Sequence, residues 1–170
     1  VLENALRDEV AELWVSAPAD GHSGASAMVS LRRRLEIQNR GSQRYAVTGR
    51  PADSVLAALR VTMMDTPPDL IVSGINHGVN IGGDVLYSGT IGAAAVGSLN
   101  GIPSIALSAD HPPGEPVADE TWIEVALIVA RTVRTICNWG FIPGSFYNVN
   151  FPEQILDQDP VLCRQGDTGD

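Results

Sequence analysis

The sequence predicts an α/β fold: a Rossmann-like, three-layer α/β/α arrangement with a mainly parallel sheet and one β-hairpin excursion. Three observations carry this. Short apolar runs that read as strands alternate with longer amphipathic stretches that read as helices. The chain has 170 residues, which suits one domain with a sizeable core. Its apolar fraction is 44% with 5% aromatics, an aliphatic-rich globular composition.

In order, Leu2, Leu6, Val10 and Leu13 fall at helical spacing and predict a helix over 1–13. Leu13 to Ala17 reads as a strand stopped by Pro18, followed by a small polar loop from Ala19 to Ser26. Leu35, Ile37, Tyr45 and Val47 alternate about Asn39-Arg40-Gly41-Ser42, a hairpin pattern. Pro51-Ala52-Asp53 opens a helix with Asp53 as N-cap and Val55, Leu56, Leu59 and Met63 as its buried stripe, ended by Pro67-Pro68. A central strand over 69–73 runs into a loop with glycines at 74, 78, 82 and 83. A helix of small residues follows from Thr90 to Asn100, with Gly101 as its C-cap. Ser104 to Ser108 is the next strand, and 109–119 reads as a loop. Glu120 to Asn138 places Trp122, Val125, Ala126, Val129, Val133 and Ile136 on one helical face, and Phe146 to Asn150 is a last strand.

Net charge is −9, which argues against a general nucleic-acid surface. All eleven basic residues are arginine, and six lie between Arg32 and Arg50. That cluster can steer a phosphate substrate, or simply solvate an exposed hairpin. Cys137 and Cys163 have no metal-type spacing; Cys137 is expected to pack on the apolar side of its helix, in a reducing compartment. No run of about 18 apolar residues exists, so no membrane span is expected. The chain begins at Val1 inside a helical pattern, so residues upstream of it are expected.

Successive parallel strands collect their outgoing loops at one sheet edge, where open α/β folds bind ligands. The loops over 20–26 and 76–90 should therefore be neighbours. Ser88-Gly89-Thr90 opens a helix, where unpartnered amides and the helix dipole favour an anion; plain capping by Ser88 or Thr90 explains the same residues. Asn76 directly follows the strand and can face a metal, while Asn76 and Asn80 can equally be turn residues bonded to their own backbone. Asp84 is a ligand or a loop brace, His77 reads as a loop or packing residue rather than a base, and Ser23 is a hydroxyl ligand or nucleophile, or an ordinary loop serine.

Five segments occur in order: Ser23-Gly24-Ala25-Ser26, Gly49-Arg50-Pro51-Ala52-Asp53, Val72 to Asn80 (VSGINHGVN), Asp84 to Thr90 (DVLYSGT), and Asn148-Val149-Asn150-Phe151-Pro152. Together they resemble the SurE family of survival-protein nucleotidases, from about Leu2 to Pro152. The resemblance implies a SurE-like single domain over 1–170, lacking its first strand and much of its C-terminal tail. It implies a metal-dependent phosphomonoesterase, a 5′/3′-nucleotidase of the SurE acid phosphatase type, acting on nucleoside monophosphates. It further implies a divalent cation, Mg2+ or Mn2+, held by Ser23, Asn76 and an Asp-Asp pair, with Asn80, Asp84, Tyr87, Ser88, Gly89 and Thr90 around the phosphate. A cytoplasmic homodimer or homotetramer that binds neither nucleic-acid polymer nor membrane is the expected setting.

Three departures stand out. The Asp-Asp loop that follows the family's first strand would precede Val1. Gly83 stands where many relatives carry an acid, and 153–170 does not match the family tail. A chain without the aspartates reads alternatively as a non-catalytic nucleotide-binding module. A flavin or dinucleotide domain is the weaker rival, since the loop after Leu13–Ala17 has no G-x-G-x-x-G.

Overall fold

The computed structural model describes residues 1–21, 24–110, 119–153 and 159–166, with the backbone alone over 119–125. The elements run α1 (Leu2–Leu6), β1 (Val15–Pro18), β2 (Ile37–Asn39), β3 (Arg44–Val47), α2 (Pro51–Ala57), β4 (Ile71–His77), α3 (Gly89–Leu99), β5 (Ser104–Ala109), α4 (Asp119–Trp139) and β6 (Tyr147–Phe151). A π-helical turn over Ala58–Thr62 continues α2, and a 3-10 turn over Gly82–Leu86 precedes α3. The expected α/β architecture is present, but its strands form two hydrogen-bonded groups. One has the order β1-β3-β2, with β1 and β3 parallel and β2 antiparallel; the other is the all-parallel β4-β5-β6. Among the described residues β1 and β4 each pair on one edge only.

The core is set by alternation along β5, which is buried throughout. Ile105, Leu107 and Ala109 point to one side, where Val129, Val133 and Ile136 of α4 and Leu6 of α1 cover them. Ala106 points to the other, against Ile91 and Ala94 of α3. A strand covered on both faces is what a continuous apolar run such as Ser104–Ala109 encodes. The small residues of α3 let it lie close. A side chain at Gly97 would strike the Ser104 hydroxyl and come within 2.8 Å of Ile71 Cδ1. On its outer side α3 meets α2 through Ala93 and Val96 against Ala52 and Val55.

Several expectations change. The first helix stops at Leu6, and Val10 is 43% exposed. Asp8, Glu9 and Glu12 would stand at the negative end of a longer helix, which disfavours its extension. Asp53 is the third helical residue, not the N-cap: Pro51 fixes the first helical φ, so Arg50 caps and the Asp53 carboxylate bonds back to the Arg50 amide at 2.8 Å. The π turn carries the chain to Met63, before Pro67-Pro68. Gly101, with φ +82°, lies one residue past the cap Asn100. β4 runs four residues beyond the expected strand, to His77. Cys137 is exposed, not packed on the apolar face. Trp122 and Val125 fall among the residues described by backbone alone, and most of the 109–119 loop lies outside the described residues.

Asp53 is 3% exposed, and burial alone would raise its carboxyl pKa. Hydrogen bonds from the Ser30 amide and hydroxyl (both 2.8 Å) and the Arg50 amide, with the Arg50 charge, outweigh burial and hold it below its ordinary 3.8. A depressed carboxyl adds stability above its unfolded pKa and loses it as pH falls through the folded value. Asp53→Asn should therefore cost roughly 1–3 kcal/mol at neutral pH. In urea titrations the gap to the wild type should close as the pH is lowered through the carboxylate range.

Candidate functional site

The carboxyl ends of β4, β5 and β6 lie side by side, because the three strands are parallel and adjacent. Asn76 and His77 end β4 opposite Ser108 and Ala109, which lie opposite Asn150 and Phe151. Between Ser73 and Asn76 the register slips: β4 spends three residues where β5, from Ala106 to Ser108, spends two. This one-residue bulge is centred on Gly74, whose φ is +137° and whose Cβ position would collide with the Leu107 carbonyl. A bulge turns the following side chains relative to the sheet, and here it sets the aim of Asn76. The Asn76 amide donates to the His77 carbonyl at 3.1 Å and the Gly78 carbonyl at 2.9 Å. Its Oδ1 is thereby left with no donor among the described residues.

The loop after β4 is anchored at Asn80, which is 4% exposed. Its side chain donates to the Ser108 hydroxyl at 2.6 Å, and its backbone amide donates to Asn150 Oδ1 at 2.7 Å. Its carbonyl accepts from Asn148 Nδ2 at 2.7 Å and from Asn150 Nδ2 at 3.3 Å. A further backbone bond from Gly78 to Ala109 completes the seam. Asn80 is thus a buried anchor of the loop.

Asp84 is exposed in the first turn of the 3-10 element, and its carbonyl accepts from the Tyr87 and Ser88 amides. Tyr87 caps that turn with its ring largely in solvent, at 67% exposure. Ser88 is the N-cap of α3, its hydroxyl oxygen accepting from the Ile91 amide at 3.2 Å. The capping role weighed from the sequence is therefore real, and it leaves the Ser88 proton free to donate. The Gly89 and Thr90 amides open the helix and bond to no acceptor among the described residues. Ser23 lies outside the described residues.

The two loops do meet. Ser26 donates through its amide to the Tyr87 carbonyl at 2.9 Å and through its hydroxyl to the Leu86 carbonyl at 2.8 Å. A side chain at Gly92 would collide with the Ser26 carbonyl, so the first turn of α3 lies directly on the 24–30 backbone. Ser26, Ser108, Asn148 and Asn150 were not among the sequence-derived site residues. The available signal was an Asn-x-Asn repeat inside a strand, where asparagine is disfavoured unless its amide is used.

As to a metal, one amide oxygen with the right freedom is present, at Asn76. Among the described residues no group of three or more His, Cys, Asp or Glu side chains could hold an ion. A hard cation needs more oxygen donors than this. The residues fit one side of a metal site and do not complete it.

The family model of the survival protein SurE matches residues 1–169. The chain belongs to the SurE family. A 5′-nucleotidase SurE of Erythrobacter litoralis is 41% identical over 158 residues, covering 93% of this chain and 62% of its own length. That of Azorhizobium caulinodans is 43% identical over 155 residues, with 91% and 59% covered. The crystal structure of the SurE protein from Aquifex aeolicus superposes with a TM-score of 0.79 at 35% identity, covering 91% of this chain and 60% of that one. The chain thus spans about three-fifths of the length of these SurE relatives.

Two substitutions test the seam that shapes the site. Asn80→Ala strands the Ser108 hydroxyl, and should cost roughly 1–3 kcal/mol in thermal or urea unfolding. Gly92→Ala forces α3 away from the Ser26 carbonyl and should cost a similar amount, about 1–3 kcal/mol. Ala95→Gly, at a partly exposed position of the same helix outside the core clusters, serves as the comparison for helix propensity.

Proposed function

We propose that the protein containing this chain is a metal-dependent phosphomonoesterase, a 5′/3′-nucleotidase that hydrolyses nucleoside monophosphates to nucleoside and phosphate. The carrying observation is the contact between the two loops at the start of α3: Ser26 is bonded to the Leu86 and Tyr87 carbonyls, just before the free Gly89 and Thr90 amides and the Ser88 proton, while Asn76 ends the strand from which that second loop leaves. The names of the SurE relatives give this anion site its substrate class.

In this reading the phosphate sits at the N-terminus of α3. The Gly89 and Thr90 amides and the Ser88 and Thr90 hydroxyls donate to its equatorial oxygens, and they are fixed before the substrate arrives. Asn80 keeps the loop at that height through β5 and β6, while Asp84 and Tyr87 flank the entry. Asn76 and Ser23 would contribute to holding Mg2+ or Mn2+, and the remaining ligands are the Asp-Asp pair expected upstream of Val1. When bound, the cation supplies charge neutralisation at the phosphoryl oxygens and acidification of a water. The unpaired edges of β1 and β4 support a further strand, carrying those aspartates, between the two strand groups. A homodimer or homotetramer in the cytoplasm is the proposed setting. Among the described residues no helix is long and apolar enough to cross a membrane.

The test is phosphate release from AMP or GMP with added manganese, using protein extended upstream of Val1. Asn76→Ala should lower kcat/KM by about 100-fold, the order expected on losing one transition-state interaction of this kind. EDTA should abolish turnover. Unchanged activity in the variant sinks the metal role of Asn76, and EDTA-resistant turnover sinks the metal mechanism.

A further inference from the structure

The nucleotidase reading absorbs none of the six arginines between Arg32 and Arg50, and two of them converge on a cavity. Asp20, Ser30, Arg33, Thr48, Gly49 and Arg50 line a space of about 100 Å³. Asp20 follows β1, and Thr48 and Gly49 follow β3, so the cavity sits at the carboxyl ends of a parallel strand pair.

The hydrogen bonding around it decides what it can hold. Ser30 spends its amide and hydroxyl on the Asp53 carboxylate, and Arg50 spends its amide there too. The Gly49 amide donates to the Val47 carbonyl. Thr48 Oγ1 accepts from the Glu36 amide at 2.8 Å, which leaves its own proton to donate. Asp53 is satisfied by three donors, so it has no need of either guanidinium as a hydrogen-bond partner. Among the described residues no salt bridge engages Arg33 or Arg50. By contrast Arg44 and Arg134 are committed to Glu3 and Glu9. The lining therefore carries two arginines and one hydroxyl proton against the Asp20 carboxylate, with the buried Asp53 carboxylate beside Arg50 already satisfied by three hydrogen bonds.

Planar guanidinium forks match the oxygens of a phosphoryl group. The cavity, at about 100 Å³, has room for one tetrahedral oxyanion. We propose that this cavity is a second phosphate site, held by Arg33, Arg50 and Thr48 and separate from Ser88–Thr90. One strap touches both sites. Ser26 is bonded to the Leu86 and Tyr87 carbonyls, and Ser30, four residues on, lines the cavity. Four residues span at most about 14 Å, so Ser30 lies within that distance of the contact at Leu86 and Tyr87. The ligand is either free inorganic phosphate or the second phosphoryl group of a doubly phosphorylated nucleoside.

The test is calorimetric titration of the full chain with inorganic phosphate in EDTA at constant ionic strength. Arg33→Gln and Arg50→Gln should each weaken binding by about tenfold, the worth of one charge-assisted hydrogen bond. Arg50→Gln keeps the backbone amide bond to Asp53 but removes the charge beside that carboxylate, so Arg33→Gln, which leaves Asp53 untouched, carries the test if the melting temperature of Arg50→Gln falls; Arg34→Gln, outside the cavity, serves as control. Phosphate binding that is absent, or equal in wild type and both variants, overturns the proposal. The source follows from KM for adenosine 3′,5′-bisphosphate relative to AMP. A ratio that rises in Arg33→Gln assigns the site to the substrate's second phosphoryl group. An unmoved ratio with weakened phosphate binding assigns it to free phosphate. The titration needs no turnover, so it reads the same whether or not AMP is hydrolysed.

Discussion

Everything at the β4–β5–β6 edge depends on how Asn80 is held. One residue gives its amide, its carbonyl and its side chain to three partners on two different strands. Each such bond contributes only about 1 kcal/mol net, yet breaking one where no water can replace it costs more than that. The arrangement is therefore all-or-none in character. The loop between β4 and α3 contains four glycines or asparagines, Gly78, Asn80, Gly82 and Gly83, that favour many conformations, and the seam at Asn80 selects one of them. With the loop fixed at that point, the 3-10 turn over Gly82–Leu86 can deliver Ser88 to the start of α3 in a defined place.

The second constraint is close approach. Glycine stands at 74, 92 and 97 because in each case a neighbour occupies the space of a side chain: Leu107, Ser26 and Ser104 with Ile71. At Gly74 the consequence is a bulge that re-aims Asn76. At Gly92 it is a helix resting on the loop that follows β1. These contacts bind the site into a single rigid unit drawn from four elements, and catalytic positioning of the kind proposed needs that rigidity.

Much of this was legible in the residues. The alternation of apolar runs gave the order of strands and helices, and the hairpin about Gly41 was visible in its period of two. The meeting of the two loops followed from topology alone. What stayed hidden has identifiable causes. A glycine within a strand hints at a bulge but does not fix the direction in which Asn76 turns. Helix periodicity over 1–13 was real, but acids at the helix end outweighed it after Leu6. Pro51 moved the cap of α2 by three residues, since a fixed φ overrides the preference of aspartate for the capping place. The roles of Asn148 and Asn150 needed the register of β6 against β5, which no local pattern encodes.

The bonds at Asn80 also carry a temporal meaning. Their partners Asn148 and Asn150 lie 68 and 70 residues further along the chain. During synthesis the loop emerges long before β6 exists, so it cannot keep its final shape until the last strand has docked. β4, α3 and β5 all precede β6 in the chain, so their apolar contacts can form before the polar edge closes. Pairings this distant in sequence slow folding, because chain entropy is lost before the contacts compensate for it. The proposed anion site, built this way, depends on β6 being in place, so a copy in which β6 has not docked does not present it.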